Sequence, residues 1–192
     1  MSRFVKRGSF ILLIIILMSC QNNDSPKPMG YLRIDFPEKA YQTFTNKYPY
    51  SFEYPVYGRV VKDTARLAEP FWVNVDFPQF AGKIHISYKH VNKNLPQLID
   101  DSRNLAYKHS IKADEIEEIL YTYPEKKVYG VLYDIKGNTA SSVQFFLTDS
   151  TTNFLRGSLY FATKPNKDSL APVVKFFRKD VEHLIETFSW TK

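Results

Sequence analysis

The sequence predicts an α+β fold: a mainly antiparallel, twisted sheet with two amphipathic helices packed on it. Three observations carry that prediction. Residues 95–109 and 170–188 repeat apolar side chains at helical spacing. Seven shorter segments alternate apolar and polar residues, or run apolar, over strand-like lengths. The order is strands, a helix, four strands and a second helix, and not the strand–helix alternation of a parallel sheet.

The first element lies outside that fold. Arg3, Lys6 and Arg7 precede an apolar run, FILLIIIL at residues 10–17, far short of the ~20 residues that cross a bilayer as a helix. A basic start, a short apolar core and a small residue before a cut make a secretory signal peptide. Cys20 follows Ser19 and is the only cysteine, so Leu17-Met18-Ser19-Cys20 reads as a bacterial lipobox, with Met18 looser than the usual small residue. Residues 1–19 are then removed, the Cys20 thiol carries a diacylglycerol, and the new amine takes an acyl chain such as palmitate. Several chains on one residue give a stable anchor, since one chain holds a protein only marginally. Losing residues 1–19 removes three basic residues and no acidic one, so the net charge falls from +6 to +3. With no basic block left, nucleic acid is excluded as an expected partner.

Residues 20–28 read as a lipidated tether and residues 29–192 as one α+β domain. The segment PKPMGYLRIDFPEKAY, residues 26–41, holds too many large side chains for a linker. Tyr31, Leu32, Arg33, Phe36 and Tyr41 form a candidate docking segment beside the membrane, with packing of an N-terminal arm on the body as the alternative. Tyr48, Tyr50, Phe52 and Tyr54 alternate as a strand with an aromatic face, and Pro49 and Pro55 point to a sheet edge. Residues 71–77 and 83–88 are the next strands. Asn94 and Gln97 have capping-box spacing ahead of a helix whose stripe is Leu95, Leu98, Ile99, Ser102, Leu105, Ala106 and His109. Strands follow at 116–123, 127–135, 141–147 and 154–161, with turns at Gly137-Asn138 and at residues 149–153. The last helix, capped by Asp168 or Ser169, carries Leu170, Val173, Val174, Phe177, Val181, Leu184, Ile185 and Phe188. One sheet with both helices on one face buries these stripes, an order similar to the Mog1/PsbP-like sandwich.

The chain offers little for catalysis. His85, His90, His109 and His183 show no ligand spacing, and no metal or other cofactor is expected beyond the covalent lipid on Cys20. No nucleophile elbow, zinc-protease motif or phosphate loop occurs in the sequence. Asp100-Asp101 and Glu117-Glu118 are adjacent in sequence, so their side chains point in different directions and make no acid–base dyad. The expectation is a nonenzymatic protein, with aromatic content of 16% as its positive feature.

The strings PKPMGYLRIDFPEKAY, FWVNVDFPQFAGKIHISYKHVNKNL, NLAYKHSIKADEI and PEKKVYGVLYDIKGNTASSVQFFLTDSTTNFLRGSLYFATKPNKDS resemble the gliding-motility lipoprotein GldD family of Bacteroidota. The likeness covers nearly all of the chain after Cys20. It implies a lipoprotein needed for gliding and linked to type IX secretion, held at a membrane by its lipid and docking on gliding or secretion components. Cys20 alone matches a position of defined chemistry. The residues after it, QNND, lack the dense acidic cluster that directs surface export, so a periplasm-facing protein is expected, with the inner and the outer membrane both compatible. The competing expectation is a periplasmic lipoprotein that binds a glycan or lipid through an aromatic face including Tyr48, Tyr50, Phe52 and Trp72.

Overall fold

A computed structural model describes residues 34–45, 47–108, 113–163 and 167–191, without the side chains of 167 and 168. The signal peptide, Cys20, the tether, Tyr31, Leu32, Arg33, His109 and the Asp168 cap lie outside the described residues. Residues Asp35–Lys192 form one compact unit.

Its elements are β1 (Tyr41–Phe44), β2 (Tyr50–Pro55), β3 (Arg59–Lys62), β4 (Val73–Phe77), β5 (Gly82–His90), α1 (Leu95–Tyr107), β6 (Ala113–Tyr123), β7 (Val128–Gly137), β8 (Val143–Thr148), β9 (Asn153–Phe161), α2 (Lys167–Thr187) and β10 (Ser189–Trp190). Seven strands form one sheet in the order β3-β4-β5-β9-β8-β7-β6, and β1-β2-β10 form a second, smaller one. Every described strand pair is antiparallel, as the α+β reading requires.

Two hairpins share one turn device. After β4 and after β6 a proline opens a single 3-10 turn, Pro78–Phe80 and Pro124–Lys126, where its missing N–H costs nothing. A left-handed residue then reverses the chain, Ala81 at φ 46° and Lys127 at φ 51°. The turn predicted at residues 149–153 is held by Asp149, whose Oδ1 accepts the N–H groups of Thr151, Thr152 and Asn153.

Strand alternation divides the core in two. Val73, Val75 and Phe77 of β4, Phe145 and Leu147 of β8, and Leu155 and Leu159 of β9 share a cluster with Val173, Phe177, Val181, Leu184, Ile185 and Phe188 of the α2 region. Tyr50 and Phe52 of the small sheet close the same cluster. Gly157 permits its packing, because a Cβ there would lie 2.2 Å from the Phe145 ring. The opposite face carries a smaller cluster of Tyr133, Ile135, Phe146 and Phe154 with Val91 and Ala106, against which Leu95, Leu98 and Ile99 of α1 pack.

The two helices therefore lie on opposite faces of the large sheet, and not on one face as the sequence led us to expect. Each face of β7, β8 and β9 bears apolar side chains, so each needs a cover. The tyrosine-rich strand β2 is also the middle of its sheet and not an edge. Its prolines stand at the ends of the ladder, and the Pro49 carbonyl still accepts the Thr191 N–H at 3.0 Å. The capping box is not formed: Asn94 makes no side-chain bond to the helix and accepts the Asn92 N–H instead. Leu105, at the rim of the α1 stripe, is 38% exposed.

Candidate functional site

The described part of the candidate docking segment packs on α2. Phe36 stacks on Phe176 at 4.3 Å between ring centroids and lies 5.9 Å from Phe80. Tyr41 stacks on His183 at 3.6 Å, and His183 Nε2 meets Glu53 Oε2 at 2.7 Å. Both rings are thus engaged within the fold, which favours the arm-packing alternative for these two positions.

Between them sits a residue that the sequence reading passed over. Lys39 places its ammonium 2.7 Å from Asp180 Oδ1, 2.8 Å from the Tyr57 hydroxyl and 3.0 Å from the Phe176 carbonyl, which occupies its three donors. The same nitrogen lies 3.3 Å from the Phe176 ring centre, a cation–π contact. Asp180 is fully buried and also accepts the Tyr57 hydroxyl at 2.6 Å and the Tyr41 hydroxyl at 3.1 Å. Burial lowers the Lys39 pKa, and Asp180 opposes that shift. Burial and Asp180 together push the Tyr41 and Tyr57 hydroxyls far above their usual range. One signal for this clamp was present in the sequence. Asp180 falls three residues after Phe177 and four before Leu184, inside the apolar stripe of α2, where a carboxylate demands a partner.

The aromatic face expected on β2 is not a platform. Tyr50 is 0% and Phe52 1% exposed, because the small sheet turns them into the core over α2. Tyr50 donates its hydroxyl to the Phe71 carbonyl at 2.5 Å and holds Phe71 at φ 68°, a strained value for a bulky residue. Tyr48 and Phe71, with centroids 5.6 Å apart, line a shallow groove of about 530 Å³. Trp72 is half-buried, its indole N–H donated to the Tyr88 carbonyl at 2.9 Å. A second cavity of about 430 Å³ lies between β7 and α2, lined in part by Asp134, Ile135, Leu170, Val174 and Arg178, with no aromatic ring among the described lining residues. Arg178 is held there by two carboxylates, with Nη1 3.2 Å from Asp134 and Nε 3.3 Å from Glu182, which lies outside the lining.

On the α1 face one row of Cα partners crosses six strands: Asn74, His85, Ser158, Gln144, Tyr133 and Glu118. His85 Nδ1 lies 2.8 Å from Asn74 Oδ1 and 3.2 Å from Asp63 Oδ2. Burial lowers the His85 pKa, with the Asp63 carboxylate opposing. Aspartate, histidine and serine are the residue types of a hydrolytic triad, but Ser158 is fully buried and its Oγ makes no hydrogen bond among the described residues. A substrate carbonyl has no path to that oxygen. No group of three or more potential metal ligands converges among the described residues.

These features describe a clamped, aromatic-cored body, and comparison with known proteins gives the lineage. Residues 21–190 match the family model described as gliding motility lipoprotein GldD. The chain belongs to that family. Membership in the GldD family makes it a lipoprotein of gliding motility, associated with the cell envelope. No helix among the described residues is long and apolar enough to cross a membrane. No curated protein matches the chain. Among solved structures it is similar to the solution structure of cyanobacterial PsbP (CyanoP) from Synechocystis, at TM-score 0.47 and 14% identity over 85% of this chain and 99% of that one. The fold assignment for this GldD-family member rests on its own strand order and register.

Proposed function

We propose that this chain is a nonenzymatic, lipid-anchored accessory subunit that faces the periplasm and docks on components of the gliding machinery and of type IX secretion. The observation that carries the reading is the Lys39–Asp180 clamp, taken with family membership. The clamp fixes the chain that emerges from the anchor to the longest helix of the body. Fourteen residues lie between Cys20 and Asp35, so even a fully extended tether reaches only about 50 Å. A body held that close to a bilayer can engage envelope partners but not distant ones. Burial of Tyr50 and Phe52 takes away two of the four rings on which the glycan- or lipid-binding alternative relied and leaves Tyr48 and Trp72 half-buried, which weakens that alternative.

The test is a clean deletion, complemented with the wild-type gene or with Cys20→Ala. The deletion is expected to lose spreading and to retain type IX cargo inside the cell. The Cys20→Ala form is expected to lose lipid labelling and to fail in complementation. Normal spreading and secretion in the deletion would overturn the proposal.

A further inference from the structure

The two edges of the seven-stranded sheet are built differently. The β3 edge is four residues long and presents exposed Arg59 and Lys62, the usual protection against strand addition. The β6 edge is 11 residues long, and none of them is fully buried. It pairs with β7 along its length and, among the described residues, with no other strand. Between Ala113 and Tyr123 it contains neither proline nor lysine nor arginine. One irregularity at Ala113/Glu115 interrupts only its start. About 35 Å of strand thus offers alternate outward N–H and C=O groups with none of the usual blocks beyond that point.

Its side chains define what fits there. Leu120 is 78% exposed on the α1 face. Ile119, Tyr121 and Tyr123 are half-buried on the other face, where Glu182 and Glu186 lie near Tyr121. The strand itself contributes Asp114, Glu115, Glu117 and Glu118 and no cation. Lys136 bonds Glu115, and Glu118 accepts the Tyr107 hydroxyl and lies 3.5 Å from Arg103 Nε, whereas Glu117 makes no ion pair among the described residues. We infer that β6 is a β-augmentation site for an extended segment of a partner protein in which apolar residues alternate with lysine or arginine. The inference rests on the docking reading above and assigns it a surface. Main-chain bonds supply the affinity, and Leu120 on one face of the strand with Glu117 on the other selects the alternating sequence. A second copy of this chain fits poorly. Full-length symmetric pairing of 113–123 places Glu118 directly opposite Glu118, and like charges so placed are destabilising.

The probe is an end-blocked peptide of about ten residues, long enough to span most of β6, alternating lysine and valine. It is added to the full-length protein in detergent, with amide hydrogen exchange and fluorescence anisotropy as readouts. The β6 amides are expected to gain protection. A glutamate–valine peptide is expected to bind at least about tenfold more weakly, from reversed cross-strand charge pairs. A lysine–valine peptide with N-methylated amides is expected not to bind. Equal binding of all three peptides, protection outside β6, or concentration-dependent protection of β6 without peptide would each overturn the assignment. In cells, the Glu117→Lys/Leu120→Lys double variant of the full chain, with melting temperature and acylation unchanged, is expected to fail in complementing a deletion. If the deletion is defective but this variant complements and the peptide leaves β6 unprotected, the edge assignment falls and docking through another surface stands. If the deletion itself is silent, the docking reading falls.

Discussion

The two faces of the seven-stranded sheet use different chemistry. The α2 face is deep and aromatic: Phe77 and Phe177 rings lie 4.5 Å apart, and Phe80, Phe161 and Phe176 meet Phe177 edge-on. Each fully buried ring contributes about 1.5–3 kcal/mol through removal from water. Two buried carboxylates lie inside this face: Asp180 has each oxygen occupied by a donor, and Asp134 pairs with Arg178 at 3.2 Å. The α1 face is thinner, with a small apolar cluster beside the polar row from Asn74 to Glu118, in which the buried Ser158 Oγ and Gln144 Nε2 make no hydrogen bond among the described residues. A cover built on aromatic packing and a saturated ion cluster resists local opening, whereas a shallow cover over polar groups yields first. The N-terminal arm that carries Phe36, Lys39 and Tyr41 is attached to the more resistant face.

The largest way to break this comparison is to remove the charge inside the strong face. Asp180→Ala leaves Lys39, Tyr41 and Tyr57 without their shared acceptor. Breaking a buried pair by deleting one partner costs about 3–5 kcal/mol, and a quarter-exposed Lys39 can swing outward, which points to about 3 kcal/mol. Chemical denaturation of the lipid-free protein measures it. Lys136→Ala, which removes the exposed pair to Glu115, is the control and is expected to leave the midpoint unchanged. A loss for Asp180→Ala no larger than for the control would show that the clamp does not secure α2.

A second, smaller effect comes from pH. Burial raises the folded-state pKa of Tyr41, Tyr50 and Tyr57 far above 10, and all three lie on the α2 side. On the α1 face Tyr133 is pushed up to about 12. Above pH 10 the unfolded chain releases these protons while the folded chain keeps them, so the folded state binds more protons and stability falls as pH rises. The contribution is fully present below pH 10 and is lost through the alkaline range. The share of tyrosinate absorbance that Tyr57→Phe removes is therefore expected to appear with unfolding and not before it, and the same substitution is expected to flatten the alkaline slope. Loss of absorbance from the folded-state titration in Tyr57→Phe would contradict the burial of this hydroxyl.

Much of the α2 face was legible in the sequence. The stripe from Val173 to Phe188 is buried at the positions its spacing gave, because a period of 3.6 set against a sheet leaves little choice. The opposed placement of the helices was not, since apolar runs in β7 and β8 say that both faces are covered without saying by what. The strand β3, with sequence RVVK, is too short and too charged at its ends to register as a strand. The clamp was hidden for another reason: Lys39 and Asp180 are 141 positions apart, and only the misplaced carboxylate in the stripe announced a partner.

The smallest prediction concerns the start of α1, where local pattern and structure part. Asn94 and Gln97 have the spacing of a capping box, and a working Asn cap contributes about 1 kcal/mol. Here Asn94 is at φ −115°, ψ 18°, and its Oδ1 faces back to the Asn92 N–H at 2.8 Å. Lys93, left-handed at φ 57°, sets that direction by turning the chain immediately before it. Pro96 in the first turn supplies no N–H, so the helix has one fewer donor for a cap to satisfy. Asn94→Ala is therefore expected to change stability by less than about 0.5 kcal/mol, the range of an ordinary surface substitution. A loss of a full cap's worth in thermal denaturation would mean that Asn94 reaches the helix N–H groups in solution. The α1 cover would then begin one bond more firmly than its geometry shows.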